Sequence, residues 1–526
     1  MKTAMTSSPP IAFVFVDAGI EPHLAGLLRV IERLLPLRLG GASTMPPVAR
    51  IVTSREGAAP SDIPTLLLPS CDDGGECHQV GRIRFADDPH VPWPFRGRTL
   101  DMKVDVDMSM QQSLRAMPGI VLATDGAGAP LWSLGSTGTS PLHSTAIKLP
   151  LVDADADVGL AVGNERFVPA LPLFDFLRGV AGTKAFRDPV LRASYIIDDP
   201  NLHWPTYGYA DYRDIADSAR RHRYHVAFAT IPLDGWWVHP PTADIFRENP
   251  GTLSLLVHGN NHARQELAQD FSARQCAALL RQAVARIQLL EAKARLSVSR
   301  VMVPPHGACS ARMLSELPRA GFESACISAG SLRAHNPGQE WTRSLGIAST
   351  EQVEDCPVLP RWAFVGTTDA ILLTAAYLGQ PLVLRGHHQD LKTGLHVMER
   401  FAGIINALGD VHWGSLTSLS RRGYRHRIDD STLVVEPISH RIDVEIPSGV
   451  EALRLIAGAS RWTADGAPGV ADGNDLVMPA IPGRTISLTR LAPHHAPRSG
   501  EAEFPVSTRL ILRRLLTETR DRLRVE

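Results

Sequence analysis

Four polar clusters follow one another along this chain, each just past a short apolar run. Asp198-Asp199 closes YIIDDP, His258 and His262 lie in LLVHGNNH, His306 sits in MVPPHGA, and His387-His388 come in VLRGHHQD. One carboxylate and two imidazoles can hold a divalent cation, and a second carboxylate and a third imidazole can move protons. Together they have the parts for metal-assisted hydrolysis. Each cluster alone also has a plainer reading. His258 and His262 are spaced as two ligands on one face of a helix beginning near Asn260, or as a hydrogen-bonded loop or helix-cap pair. DDPN is turn chemistry, yet adjacent carboxylates after a buried run need a cation, a proton or hydrogen bonds to compensate them. MVPPHGA is either a rigid Pro-Pro turn or a groove wall at Pro305 and His306 whose backbone N–H groups face an oxyanion. Neighbouring side chains diverge, so only one of His387 and His388 is expected to act directly. Trp236-Trp237-Val238-His239 reads as loop packing in preference to a platform for a sugar ring.

The elements that must position these groups alternate. Between about 186 and 422, apolar runs (ASYIIDD, HVAFATIP, LSLLVHG, RVMVPPHG, ESACISAG, PLVLRGH) are separated by helical patterns such as YRDIADSARRH and QCAALLRQAVARIQLLEAKAR. That alternation predicts a parallel sheet, closed into a barrel or wound on both faces, with the polar clusters gathered at the strand C-termini. Residues 1–185 open with a small α/β unit and pass into short β-type runs; FVPALPLFDFLRGVAG, broken by prolines, reads as the crossing into the next domain. Residues 424–500 read as a small antiparallel sandwich, and 501–526 as an amphipathic C-terminal helix.

A chain of 526 residues implies more than one domain, and 44% hydrophobic against 21% charged residues is the balance of a folded protein. The net charge of -1 gives no general attraction to nucleic acid or anionic membrane. No apolar run approaches the roughly 18 residues of a membrane span. The early run IAFVFVDA ends in an acid, so it reads as a first strand and not a signal peptide, and a cytoplasmic location is expected. The six cysteines have no metal-knuckle spacing.

The order of the clusters resembles the NodB-type polysaccharide deacetylase superfamily, carbohydrate esterase family 4 and its relatives, over about residues 186–422, in a divergent bacterial branch. The resemblance implies a deformed (β/α) barrel of the glycoside hydrolase/deacetylase type, flanked by the N-terminal α/β and β-rich region and the small C-terminal β domain. It implies a metal-dependent hydrolase that removes acetyl groups from an N-acetylated carbohydrate. Asp198 would be the base, Asp199, His258 and His262 the metal ligands, Pro305 and His306 part of the groove wall, and His387 or His388 the acid. The metal would be Zn²⁺ first, with Co²⁺, Ni²⁺ or Mn²⁺ also suited to mixed N/O ligation. The chain departs from the pattern at four places, two of them His306 for the aromatic after the prolines and Ile196-Ile197 for the usual Thr-Phe before the Asp pair. The family's Pro-rich motif carries an Arg that pairs with the base, where this chain has Val303; Arg264 and Arg361 are the candidates to replace it. The groove motif bearing a tryptophan has Trp362 as its only counterpart. Two alternatives follow: a carbohydrate-binding or scaffold protein that kept the barrel without turnover, and a hydrolase of a non-sugar C–N bond.

Overall fold

The computed structural model describes residues 12–54, 62–70, 76–263, 265–458, 460–464, 470–471, 475–491, 512, 514–517 and 519–520. By internal contacts the chain forms two compact units. One comprises Met1–Phe186, Arg343–Ala348 and Thr368–Leu378; the other comprises Arg187–Thr342, Ser349–Thr367 and Gly379–Glu526.

The first unit is built on a nine-stranded sheet. The early run forms the strand Ala12–Val16, which pairs in parallel with Leu37–Gly40 and Pro47–Val52. The helix Glu21–Leu34 makes the crossover that parallel pairing requires. Beyond Thr65–Leu67, the Gly- and Pro-separated runs Ile120–Asp125, Pro130–Thr137 and Ser140–Thr145 pair antiparallel with one another, as short connections permit. The stretch expected to be broken by prolines is helical instead. A 3₁₀ segment, Asn164–Ala170, runs into the α-helix Leu171–Ala181, with Pro172 in the first turn, where its missing N–H costs nothing.

The second unit carries the polar clusters on a ten-stranded sheet, parallel but for one edge pair. Its central strands are Leu191–Asp198, Val226–Thr230, Leu253–His258 and Val298–Val303. Ser324–Cys326 and Cys356–Leu359 lie to one side and Leu382–Gly386 to the other. Val226–Thr230 is buried at every position, the mark of a strand covered on both faces. Among the described residues the edge strands Glu351–Val353 and Trp362–Ala363 do not pair with each other, so the sheet is open between them. Closure is a long-range property that the strand–helix rhythm leaves open.

Alternation along the strands sets one face as core. Ile196, Ala227, Ala229, Leu256, Val301, Val303, Cys326, Leu359 and Val383 pack there with Leu416 and Leu419 of the helix Leu416–Arg421. Asp198 follows Ile196 by two residues and His258 follows Leu256 by two, so both leave their strands on this same face. The connecting helices are locally encoded. Asp211 caps Tyr212–His222, and Ser272 with Gln275 forms a capping box for Ala273–Ala294.

In the same unit, residues 424–490 form two four-stranded sheets, enclosing a core that includes Leu433, Val435, Ile442, Leu453, Trp462 and Leu488. The expected purely antiparallel pairing fails at one place: Thr432–Pro437 and Ala452–Leu455 run parallel. The described residues of the C-terminal segment, 512, 514–517 and 519–520, are helical; the rest of the expected helix 501–526 lies outside the described residues. No helix among the described residues is long and apolar enough to cross a membrane.

Candidate active site

Asp199 begins the loop after Leu191–Asp198, and His258 ends the strand Leu253–His258. The one-strand gap between them is filled by Val226–Thr230. His262 reaches the same point by a different route from the one its spacing suggests. No helix begins at Asn260; residues 259–263 are a loop, and the next helix starts at Ala273. The loop curls because Glu266 gathers its backbone. Its carboxylate, only 4% exposed, accepts hydrogen bonds from the N–H groups of Asn260 (2.6 Å), Asn261 (2.9 Å) and His262 (3.0 Å). Gly259 and His262 take positive φ, 64° and 56°. A Cβ on Gly259 would lie 2.5 Å from both Glu266 Oε1 and Pro305 Cγ, so only glycine fits there. From the other side Arg286 of the long helix donates to the side-chain oxygens of Asn260 (2.7 Å) and Asn261 (2.8 Å).

The result is a convergence of three donor groups. His262 Nε2 lies 3.1 Å and His258 Nε2 3.5 Å from Asp199 Oδ1, and one ligand atom from each of the three residues falls within 4.8 Å of the others. His258 donates its Nδ1–H to the Val303 carbonyl at 2.9 Å, which fixes the tautomer and leaves the Nε2 lone pair facing Asp199. A tetrahedral cation bound at about 2.0–2.1 Å sets its donors roughly 3.3 Å apart, close to the spacing seen. Asp199 Oδ1 is buried and makes no hydrogen bond of good geometry, and it sits between two imidazole nitrogens. The donor set therefore fits a divalent cation. Asp199 and His262 both hold positive φ (81° and 56°), a cost concentrated at the ligands.

The electrostatics agree. Burial raises the Asp199 carboxyl, but the hydrogen-bonding reach and charge of the two imidazoles more than offset it and hold it well below the usual carboxylate range. Burial likewise pulls His258 down, and Asp199 with Asp198 overcomes it, so the imidazole is raised. The pocket attracts positive charge, and a cation would displace a proton from it.

Asp198 points onto the apolar face and is paired. Arg361, which follows the strand Cys356–Leu359, donates to its two oxygens at 3.4 and 3.2 Å, with each side chain 4% exposed. This is the carboxylate–guanidinium pair that Val303 cannot make. Arg264, the other candidate, lies outside the described residues. On the opposite side, the parallel register joins Ile197 to Gly386, so His387 leaves its strand beside Asp198. His387 is half-buried and caps the 3₁₀ turn His388–Leu391. His388 is buried between Tyr207 (5.4 Å between ring centroids) and Tyr209 (5.9 Å) on the loop that continues from Asp199. Pro305 is buried against Gly259. His306 holds φ 56°, and its exposed ring meets His262 edge-on at 4.8 Å.

Two features of this region were not expected from the sequence. Asp234, on the 3₁₀ turn Pro232–Trp236, is buried and accepts Arg514 of the C-terminal segment at 2.5 Å. Burial lowers the Arg514 guanidinium, but Asp234 above all, with smaller help from Tyr207 and Asp199, raises it. The second feature is Glu266, whose stretch, ARQELAQD, has no motif to distinguish it. Trp362 belongs to the edge strand Trp362–Ala363, which pairs with Leu382–Gly386.

No family model and no curated protein matches this chain. Among solved structures it is similar to Agd3, described as a novel carbohydrate deacetylase, at 10% identity over 92% of this chain and 99% of that one, TM-score 0.47. It is also similar to a family 4 carbohydrate esterase from Streptomyces lividans, at 13% identity over 44% of this chain and 94% of that one, TM-score 0.26. A family 4 pseudoenzyme from Bacillus anthracis matches at 14% identity over 45% of this chain and 67% of that one, TM-score 0.28. At these identities and scores the likenesses carry no argument about what this chain does.

Proposed function

We propose that this chain is a metal-dependent hydrolase that removes acetyl groups from an N-acetylated carbohydrate. The observation that carries the reading is the convergence of Asp199, His258 and His262 beside a second buried carboxylate held by Arg361. The three converging residues would hold the cation, Zn²⁺ first, with Co²⁺, Ni²⁺ or Mn²⁺ compatible with the same donors. When bound, the cation supplies Lewis acidity toward the acyl oxygen and lowers the pKa of water.

The chain's own residues then have separable tasks. Asp198 takes the proton of the attacking water. Arg361 fixes its carboxylate and balances its charge, so Asp198 stays ordered on an otherwise apolar face. His387 or His388 protonates the leaving amine; the His388 ring is held by Tyr207 and Tyr209, and the His387 backbone is fixed by Asp390. General acid–base assistance of this kind is typically worth about 10²–10⁴-fold. Pro305 and His306 border the ligand loop and line the acyl side of the groove. The absence of an Arg from the Pro-rich motif favours a non-catalytic binder only while the base is unpaired, and Arg361 pairs it.

The test is acetate release from N-acetylated amino sugars and their oligomers, with and without added Zn²⁺. Asp198→Asn should retain metal and lose turnover, whereas Asp199→Ala should lose both. Turnover by Asp198→Asn at the wild-type rate would remove Asp198 as the base. Release of ammonia or an amine from a non-sugar amide, with none from any amino sugar, would move the substrate class.

A further inference from the structure

We propose that the aromatic cluster of Trp204, Trp236, Trp237 and His239 is a platform that stacks pyranose rings of an oligosaccharide on its exposed indoles, Trp204 and Trp236. This deepens the hydrolase reading and rests on it for the substrate class. The sequence favours loop packing for residues 236–239; Trp237 is packed among rings in this way, whereas Trp236 is exposed. Trp204 is 43% and Trp236 53% exposed. The rings form a cluster: Trp236 meets Trp237 at 6.4 Å and 32°, Trp237 meets His239 at 6.2 Å and 42°, His239 meets Trp204 at 5.9 Å and 33°, and Trp204 meets Trp237 edge-on at 5.7 Å and 64°.

Exposed indoles on a loose loop would carry little meaning, but these are held. The Asp234 carbonyl accepts His203 Nε2 at 3.0 Å, and its carboxylate is locked by Arg514 at 2.5 Å. His239 N donates to Leu202 O at 2.8 Å, joining the two loops that carry the tryptophans. Lys293 of the long helix donates to the Trp236 carbonyl. Keeping large apolar side chains in water on a fixed backbone loses their burial energy, and the arrangement is instead prepared to bind with little ordering cost.

Position selects the occupant. The platform stands on the loops that follow Leu191–Asp198 and Val226–Thr230, at the strand end that holds the converging donors. Leu233 N donates to Asn260 O at 3.0 Å, tying the tryptophan loop to the ligand loop directly. The charges at the cluster are the Lys293 ammonium on the Trp236 carbonyl and the mutually paired Asp234 and Arg514, so it is the position beside the converging donors that selects a carbohydrate. An uncharged sugar presents apolar C–H faces to aromatic rings and hydroxyls to water, and two exposed indoles suit an oligomer better than a single sugar.

The experiment uses the full chain carrying Asp198→Asn, loaded with Zn²⁺, and measures binding by calorimetry and tryptophan fluorescence. The probes are oligomers of N-acetylglucosamine and of N-acetylgalactosamine, from mono- to hexasaccharide, with a single-stranded oligonucleotide alongside. Affinity should rise with oligomer length. Trp236→Leu and Trp204→Leu should each weaken the longer oligomers about tenfold, and Trp236→Phe should lose less, because it keeps a ring. In the wild-type background the same changes should raise KM for the longer oligomers. Equal oligomer affinity in the leucine variants, preferential binding of the oligonucleotide, or no binding of any oligomer would each overturn the platform. Binding that depends on these tryptophans without acetate release from the wild type would instead sink the hydrolase reading and leave the platform standing.

Discussion

The pair Arg361–Asp198 lets one perturbation be worked out in advance. Both side chains are 4% exposed, and the nearer contact is 3.2 Å. At an effective dielectric of about 20 the attraction at that distance is roughly 5 kcal/mol, against a desolvation cost of similar size. The net worth of the pair is therefore small, but the cost of breaking it is not. Arg361→Met leaves Asp198 buried and uncompensated and should destabilise the fold by about 3–5 kcal/mol. Asp198→Leu strands the guanidinium and should cost a similar amount. The double variant removes both charges, and its loss should be smaller than either alone, so the coupling energy should exceed either single loss, more than about 3–5 kcal/mol. Urea unfolding of chelator-treated protein measures this without interference from metal binding. Additivity of the two single losses, within about 0.5 kcal/mol, would show that the two groups do not compensate each other and would refute the role given to Arg361.

Other outcomes follow from neighbouring contacts. Glu266→Ala removes the acceptor of three loop N–H groups and should weaken metal affinity roughly 10–100-fold while the ligands remain in place, read by titration with a competing chelator. Gly208→Ala places a Cβ 2.1 Å from His388 Nδ1 at φ +53°, so it should lower the melting temperature and depress kcat together. A gain or no change in either would contradict the packing of His388. His225 is buried, and its imidazole is pushed down to about 4 by burial, opposed by a hydrogen bond with the Gly251 carbonyl. The unfolded chain takes up this proton below about 6.5 and the folded chain does not, so the contribution is fully present above that pH. It is lost progressively toward pH 4 and reaches about 3 kcal/mol. Urea midpoints between pH 7 and 4 should fall less steeply in His225→Gln, and parallel profiles would exclude His225 as a source of the acid lability.

How much of this was legible in the sequence depends on the range of the interaction. The parallel strands declare themselves because buried runs such as HVAFAT and the Asp, Asn and Pro that end them are local signals. The order of the polar clusters likewise pointed to residues that the fold brings to one end of one sheet. The reason His258 and His262 meet was not legible. Their spacing suggests a helix, and the loop is shaped instead by Glu266 and Arg286, whose roles exist only once the loop and the long helix have packed. Arg361 was a nameable candidate but could not be ranked above Arg264, because nothing local connects it to a carboxylate 163 positions earlier. The exposure of Trp236 is set by the same long-range packing and departed from the local reading.

A metal centre at Asp199, His258 and His262 is read out by the metal content of the purified protein. Protein purified without a metal-affinity tag, stripped with chelator and reconstituted with Zn²⁺, should retain about one equivalent by mass spectrometry, as a single three-ligand site requires. The His258→Ala protein treated in parallel should retain almost none, while keeping its circular dichroism spectrum. Equal metal in both proteins, or none in the wild type after reconstitution with Zn²⁺, Co²⁺, Ni²⁺ and Mn²⁺ in turn, would contradict the account.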